Sequence, residues 1–185
     1  MRASNISLSA PFLVVAGDVS ASGLGHPANA GPGAPPQVDR SKCRVRRSGS
    51  SAGHGGIGGR ACTLYADECG SPVAANPRHH LLGGRAYGSV ALPSTWGSGG
   101  ADSYNYQVST GVQYHGQGGS GGGVVQVTAD KALVLGTSPR CTECLLAQGW
   151  PGSRDTWAQT SGGSGSGGSI AMAARTVMDI GGGAN

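Results

Sequence analysis

The chain has 185 residues, of which 36 are glycine and 10 proline, so about a quarter of it consists of residues that interrupt helices and strands. Glycine costs about 1 kcal/mol at each helical site, which argues against a helix bundle or a doubly wound α/β enzyme. Only 12% of residues are charged, with a formal net charge of +4; that is too little charge, beside clear apolar runs, for charge-driven disorder.

The first segment, 5–24, alternates apolar and polar residues through Ile6, Leu8 and Ala10, the pattern of a strand with one buried face. Arg2 and the run from Pro11 to Ala16 faintly resemble a signal peptide, but Asn5, Ser7 and Ser9 break the apolar core such a peptide needs. Asn5-Ile6-Ser7 is an N-glycosylation sequon, which makes Asn5 a candidate modification site in an extracellular chain.

A loop-rich insert, 25–122, follows. Gly31 to Pro36 reads as a turn-rich linker. Arg40, Lys42, Arg44, Arg46 and Arg47 form a basic run, read as a solvated loop ahead of a polyanion site. No aromatics interleave with it, so specific nucleic-acid binding is not expected. Arg44 to Arg47 also matches a furin-type processing site. Gly53 to Gly58 fits the spacing G-x-G-x-x-G, but no strand leads in and no helix follows, so no dinucleotide or other cofactor is expected. Gly118 to Gly122 fits G-x-S-x-G around Ser120, again without the strand–turn–helix context of a catalytic elbow. His26, His54, His79, His80 and His115 have no metal-ligand spacing, and His54 reads as a residue packed or hydrogen-bonded in a turn. Trp96, Tyr104, Tyr106 and Tyr114, with Trp150 and Trp157 further on, suit either covering the core or stacking on sugar rings.

The second strand segment, 123–136, repeats the alternation with Val125, Val127 and Ala129. The third, 169–185, repeats it with Ile170, Met172 and Ala174. Between them lie Cys141 and Cys144. With Cys62 and Cys69 these form two local pairs of disulfide candidates, leaving Cys43 over. For Cys141 and Cys144 three readings stay open: disulfide, then free thiols, then half of a zinc site. No stretch reaches the about 20 apolar residues of a membrane-spanning helix.

Three matching strand segments at unequal offsets predict an all-β fold: a single right-handed parallel β-helix or β-solenoid over 1–185, with long glycine-rich insertions. Ile6, Leu8, Leu13, Val15, Val125, Val127, Leu133, Leu135, Ile170, Met172, Val177 and Ile180 are its expected interior. Glycine tracts run into Val124 and Ile170, and in a solenoid they would form sharp corners using positive φ and close backbone approach. Only three coils are visible and no polar cap, so a fragment of a longer array is expected.

Gly53-His54-Gly55-Gly56, Tyr87-Gly88-Ser89, Pro93, Gly97-Ser98-Gly99-Gly100, Gly121 to Gly123 and Leu133 to Gly136 occur in a fixed order. Ala147 to Gly149 and Ser166 to Ile170 continue the series. This order resembles large glycine-rich surface and wall-associated proteins of eukaryotes with adhesin-like parallel β-helix repeats, over nearly the whole chain. Thr137 to Leu146 departs from it, replacing a short turn. The resemblance implies a non-enzymatic structural or adhesive role, outside the cell or on its surface. The expected partners are glycans or other surface and matrix proteins, with self-association or continuation in a longer chain. The alternative is a carbohydrate-binding or polysaccharide-cleaving β-helix, whose carboxylates would come from Asp67, Glu68, Asp102 and Asp155.

Overall fold

The computed structural model describes residues 1–36, 48–61, 82–89, 91–103, 105–107, 112–136, 144–155 and 160–179. In chain order the strands are β1 (Asn5–Val15), β2 (Val19–Ser20), β3 (Asn105–Gln107), β4 (Val112–Tyr114), β5 (Val124–Leu135), β6 (Leu145–Leu146), β7 (Arg154–Asp155), β8 (Thr160–Ser161) and β9 (Ser169–Asp179).

The three alternating segments are neighbours. They form one parallel sheet in the order β1–β5–β9. Ile6 stands opposite Val125 and Val125 opposite Ile170; Leu8, Val127 and Met172 make the next row, and Ala10, Ala129 and Ala174 the third. At mid-strand β5 carries one extra residue, so that Asp130 and Lys131 lie against Pro11 on one side and Arg175 on the other. A bulge of this kind shifts which residues face inward. Before it the inward residues of β1 are Ile6, Leu8 and Ala10; after it they are Leu13 and Val15. The Lys131 ammonium sits 5.1 Å from the Phe12 ring centroid beside the bulge.

The core lies under this sheet. Ile6, Val15, Val125, Val127, Ala129 and Leu133 pack with Val19 of β2 and the adjoining Ala21, flanked by Leu145 of β6 and Cys144. Full burial of one such valine or leucine stabilises the fold by about 1.5–3 kcal/mol. Short β2 pairs in parallel with β6, so the chain returns beneath the sheet after both β1 and β5.

The glycine tracts build a second body. Gly97, Gly100 and Ser103 donate their amides to the carbonyls of Gly122, Gly119 and Gly116, at 2.7, 2.9 and 2.8 Å. Gly162, Gly165 and Gly168 donate to Ser153, Trp150 and Ala147, while Gly163 and Ser166 turn to Ala101 and Ser98. Gly119 and Gly122 donate to Gly163 and Ser166; Gly49 and Ala52 to Ser161 and Ser164; His26 and Asn29 to Gly97 and Gly100. The step is three residues each time. That is the repeat of the polyproline II backbone, which has three residues per turn and no internal hydrogen bonds, so successive amides point to different neighbours. Segments 25–30, 49–54, 84–87, 97–103, 116–123, 147–153 and 162–168 therefore bond sideways into a bundle. Glycine is required where these backbones touch: a Cβ on Gly119 would land on the Trp150 carbonyl, and one on Gly163 on that of Ser50.

The expected right-handed β-helix is thus corrected. The long strands make a single three-stranded sheet, the other strands pair two by two, and two of those pairs, β3–β4 and β7–β8, are antiparallel. No closed coil is formed among the described residues. The glycine tracts are not corners either. Among the described glycines only Gly23, Gly31, Gly88 and Gly136 have positive φ; at most of the others a Cβ would collide with a neighbouring backbone, with Gly17, Gly55, Gly56, Gly59 and Gly167 as the exceptions. The expected interior also needs correction at β9. Ile170, Met172 and Val177 are 38%, 52% and 52% exposed, and none of them joins the core cluster, which lies under β1 and β5. Ile180 lies outside the described residues.

Candidate functional site

Two tracts quoted above for their order meet in space. The Tyr87 amide donates to the His54 carbonyl at 3.0 Å, which brings the two rings together, their centroids 4.8 Å apart and their planes at 66°. This edge-to-face arrangement is favoured by aromatic quadrupoles. Gly88, with φ of 86°, turns the chain just beyond; a Cβ there would sit 3.0 Å from both His54 Nε2 and Thr95 Oγ1. Those two atoms share a hydrogen bond of 2.8 Å. The Tyr87 hydroxyl donates to the Trp96 carbonyl and accepts from the Ser98 hydroxyl, the latter at 2.8 Å. Ser98, fully buried, also accepts the Gly33 amide at 2.9 Å. The Ser169 hydroxyl donates to the Thr95 carbonyl at 2.8 Å, joining this cluster to the start of β9.

The cluster opens on a cleft of about 400 Å³ whose lining includes His54, Tyr87, Ser89, Pro93, Ser169 and Ile170. Burial holds the His54 imidazole below its ordinary pKa of 6.5, so the neutral form is favoured. Burial raises the Tyr87 phenol, an effect opposed by hydrogen bonds from Ser98 and Ser166. The cleft therefore presents an aromatic ring, a proline, an aliphatic side chain, a neutral imidazole and serine hydroxyls. That set can bind a small neutral, partly apolar ligand by ring contact and a few hydrogen bonds.

A second aromatic position lies on the bundle segment 147–153. The half-exposed Trp150 indole lies over Gly23, which has φ of 67° and no room for a Cβ beside the ring. The Arg2 guanidinium is 5.5 Å from the Trp150 centroid, at cation–π range. Trp96 packs edge-on to His26 at 5.6 Å.

The remaining candidates are placed as follows. Asn5 opens β1 and is exposed. Cys144 is partly buried against the core and disulfide-bonded; Cys43, Cys62, Cys69 and Cys141 lie outside the described residues, so the pairing stays open. The Ser120 hydroxyl donates to the Gly23 carbonyl at 2.9 Å. Asp102 Oδ1 accepts the Gly118 amide at 2.7 Å, and Asp155 stands in β7; Asp67 and Glu68 lie outside the described residues. So do the basic run 40–47, His79, His80, Tyr104 and Trp157. Among the described residues no three His, Cys, Asp or Glu side chains gather as a metal site, and no helix is long and apolar enough to cross a membrane. Sequence reasoning did not bring Thr95 and Ser98 to His54 and Tyr87. Tyr87 and Ser98 are 11 positions apart, but His54 reaches Thr95 across 41 positions through the bundle, and no local pattern signals it.

No protein-family model, no curated protein and no solved structure matches the chain.

Proposed function

We propose that the chain is a non-enzymatic structural or adhesive segment that works outside the cell or at its surface. The observation that carries this reading is the bundle. Its segments are tied by main-chain hydrogen bonds recurring every third residue, so stiffness comes from the backbone and outward side chains are available for contact. Trp150, on segment 147–153, is one of those left exposed, and Ile57, Leu82 and Leu92 are exposed on the stretches between segments. The disulfide at Cys144 suits an oxidising compartment. The ordered glycine series, similar to that of adhesin-like wall proteins, points the same way.

The test is adhesion without turnover. Purified chain is incubated on surfaces coated with neutral and acidic polysaccharides or matrix protein, then challenged with protease. Retention through prolonged digestion, with no release of reducing ends, is expected. Polysaccharide cleavage that disappears in Asp102→Asn or Asp155→Asn would overturn the reading.

The cleft at His54 and Tyr87 favours a second reading, a carbohydrate-binding module. Titration with small sugars followed by NMR checks it: shifts confined to His54, Tyr87, Ser89 and Ile170 support sugar binding, and no shift at millimolar sugar refutes it.

A further inference from the structure

Among the described residues β9 is the last strand of the sheet, and its inward row is exposed. Ile170, Met172 and Val177 are exposed by 38%, 52% and 52%, whereas Val125, Val127 and Leu133, which oppose them in β5, are exposed by 0%, 1% and 0%. β5 has a strand on each side and the core layer of Val19, Ala21 and Leu145 packed with it, whereas among the described residues β9 has a strand on one side only and adds just Ala174 to that core. Parallel sheets are normally covered on both faces, and a long uncovered edge is a template for another strand.

The backbone states what would fit. The Ser169 amide donates to the Gly123 carbonyl at 3.1 Å, so Ser169, Ala171 and Ala173 direct their peptide groups toward β5, and Ile170, Met172 and Ala174 direct theirs to the open side. At the opposite end of the sheet the Ser4 carbonyl accepts the Val124 amide at 2.9 Å. Ile6 and Leu8 therefore direct their peptide groups toward β5, and Asn5, Ser7 and Ser9 direct theirs outward. Placing Ile6 opposite Ile170 interleaves the two outward sets, with the Ile170 amide meeting the Asn5 carbonyl and the Ser7 amide meeting the Ile170 carbonyl.

The same alignment satisfies the side chains. It sets Ile6, Leu8, Ala10 and Leu13 beside Ile170, Met172, Ala174 and Val177, repeating rows already formed twice within the sheet. β1 and β9 also have equal spacing across their midpoints. Phe12 and Thr176 both oppose Ala132, two residues after Ala10 and Ala174 respectively, so the pair needs no bulge. Pro11, which has no amide, falls on the outward set of β1, so the pairing lacks a donor for the Ala174 carbonyl and its main-chain bonds from β1 come from Ser7 and Ser9.

We propose that β9 docks β1 of a second copy of this chain, in parallel and with Ile6 opposite Ile170, so that copies add head to tail. Such an interface joins two different patches and extends into rings or filaments rather than stopping at a pair. The inference rests on the sheet register and is independent of the function proposed above.

Sedimentation and light scattering of the full chain over a concentration series test it. The wild type is expected to form oligomers that grow beyond the dimer. Met172→Lys charges the β9 row, and Ser7→Pro removes an outward amide of β1 without touching the amides that face β5; each variant alone is expected to be monomeric. Mixed one to one, they retain one good β1 and one good β9 between them and are expected to form a dimer that grows no further, which also shows that both are folded. A wild type that remains monomeric into the millimolar range overturns the proposal and assigns the β9 edge to a different partner. So does oligomerisation that persists unchanged in both variants, or a mixture that fails to pair.

Discussion

At Gly119 the difference between a glycine and an alanine is one methyl group that would land on the Trp150 carbonyl. The same amide donates to Gly163 at 2.9 Å, so a shift to relieve the clash also disturbs the bundle's hydrogen bonds. Overpacking of this kind costs about 1–3 kcal/mol. Gly119→Ala is expected to lower stability by at least that range in urea denaturation. Gly55 is the contrast: nothing lies within 4 Å of its would-be Cβ, and its φ is not positive. Gly55→Ala should be neutral or stabilising by about 0.4–1 kcal/mol, through a less flexible unfolded chain. Equal effects at the two sites would show that the segments are not in contact. His54 supplies a second residue-scale prediction. Burial lowers its pKa in the folded state below the ordinary 6.5, so the unfolded chain binds the proton more readily. The contribution is complete above about pH 6.5 and is lost as pH falls through the lowered folded value. The denaturation midpoint of the wild type should drop between pH 7.5 and pH 5, and His54→Gln should drop less.

The elements differ in how plainly the sequence displays them. A strand with one buried face shows a period of two, and three strands that share a row show it three times. Ile6, Val125 and Ile170 could be aligned by reading alone, and they lie side by side in the sheet. The exposure of β9 could not be read, because alternation reports which face of a strand is apolar and not whether a neighbour covers it. The bundle was harder still. A polyproline II segment has no side-chain period except glycine at its contacts, and a run such as Gly162 to Gly168 reads equally as a linker, a corner or a packed segment. The pairing of His54 with Tyr87 and Thr95 depends on that packing, so it was hidden with it. Leu133 tests the sheet itself. It is fully buried at the centre of the three strands, beyond the bulge. Leu133→Ala is expected to destabilise by about 2–5 kcal/mol in urea titration, with the loss depending on how far the site collapses. A cost below 1 kcal/mol would mean that the second half of β5 does not belong to the core.

The sheet and the bundle share their chains. Segment 116–123 continues directly into β5 and segment 162–168 into β9, and the Gly123 carbonyl at the junction accepts the Ser169 amide. A strand cannot leave the sheet without pulling on a bundle segment, and the reverse also holds. Cooperative units of this kind open together, and their amides exchange with solvent at a common free energy. The amides of Gly119, Gly122, Gly163 and Gly165 donate to carbonyls at 2.9, 2.9, 2.8 and 2.9 Å in neighbouring bundle segments. Hydrogen exchange at residue resolution should therefore find them protected to within roughly tenfold of Val125 and Val127 in the sheet. The four glycines lie outside every helix and strand, so protection there has no source other than the sideways bonds of the bundle. Exchange at the rate of an open glycine linker would show that the tracts are tethers and leave the three-stranded sheet to fold alone. Matched protection would make the chain one cooperative body held in large part by its main chain, and Gly119→Ala should then raise exchange at Val125 and Val127 as well as in the bundle.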